Sequence, residues 1–362
     1  MDLYVYNEGI ELIGVADSYA SLIWIRRYRS AGSFELYAPL TADLAALLTP
    51  RRYIYRPDVG EAMYISSVTD ESDGEGGRFL RAAGYSIDGI LRKRCITTDG
   101  AAVGILDGIK AVLDASPLGA IEYGTRALDT VVRTTEPATT LEDWVRNGCV
   151  IGDRDISYKI RLLTDKKELF VELYNGRDLS QDIIFGDEWG NISEMQYAYS
   201  EDGCANVIIC KCGKVTEPDV EGDPSGVPDY VLGDAKGLAR TEKLIITEPV
   251  IKDGERQAYD PDGMPYMEEF RYLSRPDTLA KMQEEAAAAY TEYTESYSAD
   301  ALGSGYRTEW DIGDIVTVRN DFRGTSYVKR IEEVQETFDT NGISISPTFG
   351  EPLKTILDLI KR

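Results

Sequence analysis

Apolar and polar residues alternate with a period of two through most of the first 95 positions, the pattern of half-buried strands. Leu3-Tyr4-Val5-Tyr6 runs to the turn pair Glu8-Gly9 and is followed by an apolar run over residues 10–15. Residues 21–28 and 33–37 flank Ser30-Ala31-Gly32 and read as a hairpin. Thr41 stands where a cap would precede a short helix to residue 48, and Pro50 follows it. Strands resume at 53–56 and 62–68, an acidic tip fills 70–77, and residues 78–83 return from it. Residues 86–94 read as a closing helix with Arg92-Lys93-Arg94 at its C-terminal end, where the helix dipole favours cations.

The period changes over residues 97–185. Helical spacing is expected over 101–115 and again from Thr139, before strands at 156–163 and 169–174 that end at Asn175-Gly176. From residue 191 strand patterning returns at 192–199, 206–210, 230–232, 242–247, 315–318, 327–333 and 342–346. Two segments interrupt it. Residues 217–228 are rich in Asp, Glu, Gly and Pro and predict an exposed loop. Residues 274–297 predict a helix capped by Ser274, with Leu279, Met282, Ala286, Ala289 and Tyr293 on one stripe. The last residues, 351–362, place Leu353, Ile356, Leu357 and Ile360 at i, i+3, i+4 and i+7, an amphipathic helix too short to stand alone in water. The fold class is therefore α+β and β-rich: a β-domain over 1–95, an α+β insert over 96–188, a second β-domain over 189–350 and a short C-terminal helix.

Composition narrows the function. The 63 acidic and 39 basic residues leave a net charge of −24, which opposes nucleic-acid binding and adhesion to anionic membranes. No histidine occurs, so serine–histidine and cysteine–histidine mechanisms are excluded. Cys95, Cys149, Cys204, Cys210 and Cys212 are odd in number and sparse, as expected for free thiols in a reducing compartment. Cys204, Cys210 and Cys212 would need a fourth ligand to hold a metal, and none is evident. Asp260-Pro261-Asp262-Gly263 lacks the spacing of a calcium loop, and Gly74-Glu75-Gly76-Gly77 lacks the Lys-Ser or Lys-Thr of a phosphate loop. No cofactor, metal site or catalytic residue is expected. The N-terminus shows no leader peptide and no run spans a bilayer, so synthesis in a cytoplasm without membrane insertion is expected. Trp24-Ile25-Arg26-Arg27-Tyr28-Arg29 interleaves aromatics with arginines. With so acidic a chain, Trp24, Arg26, Arg27 and Tyr28 are read as an interface, the arginines meeting acidic groups of neighbouring subunits. The 23 tyrosines suit contact surfaces in the same way.

Residues 19–28 with Gly32-Ser33-Phe34-Glu35-Leu36, residues 61–65, 84–94 and 156–161, then 312–318 and 346–350, together resemble siphophage tail proteins that form the hub at the tail tip. That resemblance implies two β-barrel domains akin to the tail-tube barrel, separated by the insert. It implies a homotrimer closing the tube, located at the virion tail tip and assembled in the host cytoplasm. Its implied partners are a tail-tube or distal-tail ring above, the tape measure protein, and a fibre, spike or receptor-binding protein below. DNA would pass through an acidic channel without stable binding. The lytic extension that many relatives carry after the second barrel has no counterpart before Arg362, so no enzyme activity is expected. The alternatives are a tail-associated cell-wall hydrolase and a carbohydrate-binding tail protein. The first is weakened by the missing histidine, the second by the dispersal of Trp24, Trp144, Trp189 and Trp310.

Overall fold

The computed structural model describes residues 1–72, 77–97, 100–115, 119–129, 133–135, 140–150, 156–200, 207–212, 251–252, 255–256, 268–273, 294–301 and 305–350. The chain divides into two compact units, Met1–Tyr197 with Ser296–Pro352 and Ala198–Glu295 with Leu353–Arg362.

The opening strands follow the alternation. β1 (Leu3–Tyr6), β2 (Leu12–Ala16), β3 (Ser21–Arg27) and β4 (Ser33–Pro39) precede helix α1 (Ala42–Leu47), and β5 (Tyr53–Arg56), β6 (Glu61–Ser72) and β7 (Arg78–Ser86) follow it. The Thr41 hydroxyl accepts from the Leu44 N–H at 3.2 Å and caps α1 as expected. β3 and β4 form the expected hairpin, with Trp24 opposite Phe34. β6 pairs with β7 out to Ser72 opposite Arg78, which shortens the acidic tip. The closing segment Ile87–Lys93 is wound as a 3₁₀ helix, tighter than the α-helix the sequence suggested.

The middle of the chain holds β8 (Gly100–Val103), α2 (Ile105–Ala115), β9 (Ala120–Tyr123), β10 (Arg133–Thr135), α3 (Leu141–Val150), β11 (Ser157–Leu163) and β12 (Glu168–Tyr174). The helix expected from residue 101 starts only at Ile105. There the Asp129 carboxylate accepts from the N–H groups of Ile105 at 2.6 Å and Leu106 at 3.0 Å, fixing the N-terminus. Thr140 caps α3: its Oγ1 accepts from the Asp143 N–H at 3.1 Å and donates to Asp143 Oδ2 at 2.6 Å. Gly108 lets the Trp144 ring lie on α2, since a Cβ there would sit 2.2 Å from it. Both helices pack with the sheet β11–β12–β9 in one core that also takes in Tyr6, Tyr53, Ile87 and Leu91.

The rest comprises β13 (Ile184–Phe185), β14 (Ile192–Ser200), β15 (Val207–Cys212), β16 (Ile251–Lys252), β17 (Glu255–Arg256), β18 (Glu268–Leu273), β19 (Thr294–Ala301), β20 (Ile315–Asn320), β21 (Thr325–Asp339) and β22 (Gly342–Phe349). In the second unit β15 pairs in parallel with β18, and β16 with β17 antiparallel. The helix expected over 274–297 lies outside the described residues up to 293, and its last positions are strand. Tyr297, Ala299 and Ala301 alternate inward there, and Tyr297 pairs with Phe349, so period two wins over the helical stripe. The expected elements at 230–232 and 242–247, the loop 217–228 and the C-terminal helix lie outside the described residues.

One long sheet organises the first unit, in the order β14-β19-β22-β21-β3-β4-β7-β6-β5-β1-β2. The fold is α+β and β-rich, as read from the sequence. Among the described residues the pairings trace an open path. β21 is the strand that joins its two halves. Its first half pairs with β20 from Thr325 to Arg330, its second half with β3 from Glu333 to Phe338. A register shift between Ile331 and Glu333, where Tyr28 N–H bonds Glu332 O at 2.9 Å, marks the change of partner. Two apolar cores lie along this sheet. One contains Leu22, Trp24, Phe34, Leu36, Ile54 and Ile65; the other contains Tyr28, Phe185, Tyr297, Trp310, Val316 and Val334.

Gly313 sits in the second of these regions at φ 89°, with the Tyr28 ring 2.4 Å from where a Cβ would be. Gly313→Ala is therefore strained twice, by backbone and by contact. We expect it to destabilise the protein by roughly 2 kcal/mol or more, seen as a lower first melting transition. An unchanged transition would contradict this packing.

Candidate functional site

The arginines singled out by the sequence find their partners within the chain. β3 sends Leu22, Trp24, Arg26 and then Tyr28 to one face. Leu22 and Trp24 belong to the first core and Tyr28 to the second, so Arg26 falls at the boundary. β21 does the same in reverse: Val334 lies in the second core, Phe338 borders the first, and Glu336 is between them, 2% exposed. β5 ends there with Arg56, also 2% exposed, and β6 begins there with Glu61.

These charges close on one another. Arg26 Nε meets Glu61 Oε1 at 2.9 Å, and its Nη1 donates to the Tyr306 hydroxyl at 2.9 Å and to Asp311. Arg307 grips Glu61 with both Nη atoms, at 2.8 and 3.0 Å, and reaches Glu336 as well. Arg56 donates to Glu336 at 2.7 Å and to Asp58 at 2.8 Å, and its guanidinium covers the Trp24 and Phe338 rings at 5.4 and 4.8 Å. Trp24 Nε1 donates to Glu61 Oε2 at 3.2 Å, and the Tyr306 hydroxyl donates to Glu336 at 3.0 Å. Arg307 holds a left-handed backbone at φ 64° to do this, a conformation that costs of order 1 kcal/mol for a side-chain-bearing residue. Burial alone would raise the Glu61 carboxyl, but Arg26 and Arg307 outweigh it and hold it down at about 2. A carboxylate so firmly ionised and so fully paired is no general acid or base near neutrality. The arrangement is a structural clasp.

Arg27 leaves the other face of β3, with Nε 2.6 Å from Glu333 and Nη1 3.1 Å from the Ala31 carbonyl. Trp24 and Tyr28 are buried in the cores, and both arginines take partners from this chain. Leu353, Ile356, Leu357 and Ile360 lie outside the described residues. The sequence reading missed Arg56, Glu61, Arg307 and Glu336. The available signal was a charged residue at an inward strand position flanked by apolar ones, as in Val334-x-Glu336-x-Phe338 and Leu22-x-Trp24-x-Arg26-x-Tyr28.

Exposed apolar side chains concentrate elsewhere. β2 ends the long sheet and pairs only with β1 among the described residues. Leu12, Ile13 and Val15 on it are all exposed. Phe322, 99% exposed, caps the turn between β20 and β21. Among the described residues no group of three or more acidic or cysteine side chains is placed to hold a metal.

Comparison with known proteins fits this organisation. Residues 2–106 and 234–351 match the family described as Siphovirus ReqiPepy6 Gp37-like protein. The chain belongs to this family. The siphophage tail resemblance read from the sequence is thereby borne out. The matched blocks contain all the residues of the clasp, and the unmatched stretch between them holds most of the α+β insert. No curated protein matches the chain. Among solved structures, the tail protein of Neisseria meningitidis MC58 is similar with a TM-score of 0.58 at 14% identity, covering 97% of this chain and 96% of that one. Prophage tail protein gp18 of Listeria monocytogenes gives 0.54 at 12% identity, covering 100% and 98%. The 43 kDa tail protein of prophage MuSo2 from Shewanella oneidensis gives 0.54 at 11% identity, covering 96% and 97%. The chain shares the fold of these tail proteins.

The clasp has a pH signature. Because the Glu61 carboxyl is lowered, its contribution is fully present above its ordinary value of 4.5 and is lost as pH falls towards about 2. Glu61→Gln leaves Arg26 and Arg307 short of a counter-charge. It should cost roughly 2–4 kcal/mol at neutral pH. The melting difference between Glu61→Gln and the parent protein should shrink between pH 5 and pH 2.5. A difference that stays constant over that range would refute the role given to Glu61.

Proposed function

We propose that this chain is a structural hub subunit of a phage tail tip, three copies of which form a ring that closes the tail tube. The observation that carries the reading is the likeness to prophage tail proteins over the full length of both partners, joined to membership of a siphovirus family. A hub is a passive conduit, and a site made of neutralised charges suits one. In this reading the strands of residues 1–95 and 189–350 contribute two tube-like barrels per subunit, so that a threefold ring presents six to a sixfold tube. A tail-tube or distal-tail ring sits above, the tape measure protein reaches in, and a fibre, spike or receptor-binding protein hangs below. Part of the −24 net charge lines a channel that repels passing DNA within a Debye length, about 8 Å at physiological salt. The subunit itself is not an enzyme.

Among the described residues β2 has no strand partner on its outer edge, which supports an assembling subunit. Edge strands in proteins that stay monomeric are blunted by charge or covered, whereas Leu12, Ile13 and Val15 are left in the open. Two measurements check the proposal. Counting copies at the tip of intact tails should give three; six or one would overturn the ring. Ile13→Lys with Val15→Lys should leave the subunit folded and keep it out of tails, whereas normal incorporation would remove β2 from the interface. Digestion of cell-wall material by the pure chain would instead favour the hydrolase reading.

A further inference from the structure

A second set of buried charges lies where α3 rests on the 3₁₀ segment Ile87–Lys93, and its charges do not balance. Asp88 is 9% exposed and Glu142, in the first turn of α3, 7%. Arg92, its side chain 46% exposed, is the cation that acts on both, and its Nε donates to Glu142 Oε2 at 2.7 Å. Glu142 Oε1 and the hydroxyl of Tyr158 on β11 are buried and have no hydrogen-bond partner among the described residues. Asp88 has the Ser86 hydroxyl and a backbone group as its hydrogen-bond partners. The other ionisable groups facing the cluster are Arg146 and Cys149 from α3 and Tyr174 from β12. Arg146 is engaged by Asp143 at 2.8 Å. Among the described residues one guanidinium therefore acts on two buried carboxylates, and the second carboxylate has no cation of its own.

We propose that this joint is a proton-operated latch: α3 seats fully on the 3₁₀ segment when Asp88 carries a proton, and its seating weakens when Asp88 ionises beside Glu142. Burial first, and then the charge of Glu142, raise the Asp88 carboxyl from 3.8 to about 6. A group raised in the seated state contributes fully below its free value, and the contribution is lost as pH rises through about 6. The latch is thus tight in mild acid and loosened at neutrality. The start of α3 stays tethered in either state, because Leu141 N–H bonds Arg94 O at 2.9 Å and Cys95 bridges Thr140. Movement is confined to the turns that carry Trp144 and Cys149.

Cys149 reports on the seating. It is fully buried and burial pushes its thiol up to about 12, whereas Cys95 is exposed. Labelling the full chain with 4,4′-dithiodipyridine, with each cysteine followed by peptide mass spectrometry, gives the protection of Cys149 relative to Cys95 in the same sample. That protection should fall about tenfold between pH 5 and pH 8. Asp88→Asn should stay protected at both pH values. Glu142→Gln, which frees Arg92 for Asp88, should move the step to lower pH and carries the test if the first variant does not fold. Protection of the parent chain that does not change with pH, or a step that persists in Asp88→Asn, would overturn the latch.

Discussion

A charge on the inward face of a strand must meet its counter-charge inside the protein, because leaving it unpaired in a dry interior costs several kcal/mol. In this chain Arg26, Arg56 and Glu336 are such charges, and with Glu61 and Arg307 they meet at one seam between two apolar cores. The partners are far apart in sequence: Arg56 and Glu336 by 280 positions, Arg307 and Glu61 by 246. Hydrophobic burial would let β21 slide along β3 by two residues and still bury apolar side chains. The clasp permits one register only, since a slip would carry Glu336 away from Arg56 and Arg307.

This constraint ties the two halves of the first unit's long sheet together. β21 spans 15 residues, roughly 50 Å, and serves β20 with one half and β3 with the other. The two apolar cores are thereby joined by a shared strand and by ion pairs. Exposed apolar side chains lie elsewhere, on the β2 edge and at the aromatic tip of Phe322. The ion pairs that join the two cores are polar and internal, while the exposed apolar side chains lie away from them.

Much of the local structure was legible from residue pattern. The β3–β4 hairpin, the Thr41 cap and the β11–β12 pair follow from alternation and turn chemistry. Pattern misled where two periods competed, as at Thr294–Ala301, and where a distant residue set a boundary, as Asp129 does for α2. The arginines at 26 and 27 were recognised as important from their type and setting, but their partners were not. A window of neighbouring residues carries no information about which of 63 carboxylates will lie opposite. Family resemblance located the strands of the seam without revealing its charges.

The claim that the seam is a mutual clasp, not a set of independent ion pairs, is tested most directly by a double-mutant cycle on Arg56 and Glu336, whose side chains are each 3% exposed and 2.7 Å apart. Arg56→Met and Glu336→Met should each destabilise strongly by stranding a buried charge. Their combination should be less harmful than the sum of the two by about 2 kcal/mol or more. Additive losses would mean that the two residues do not depend on each other, and would contradict the account.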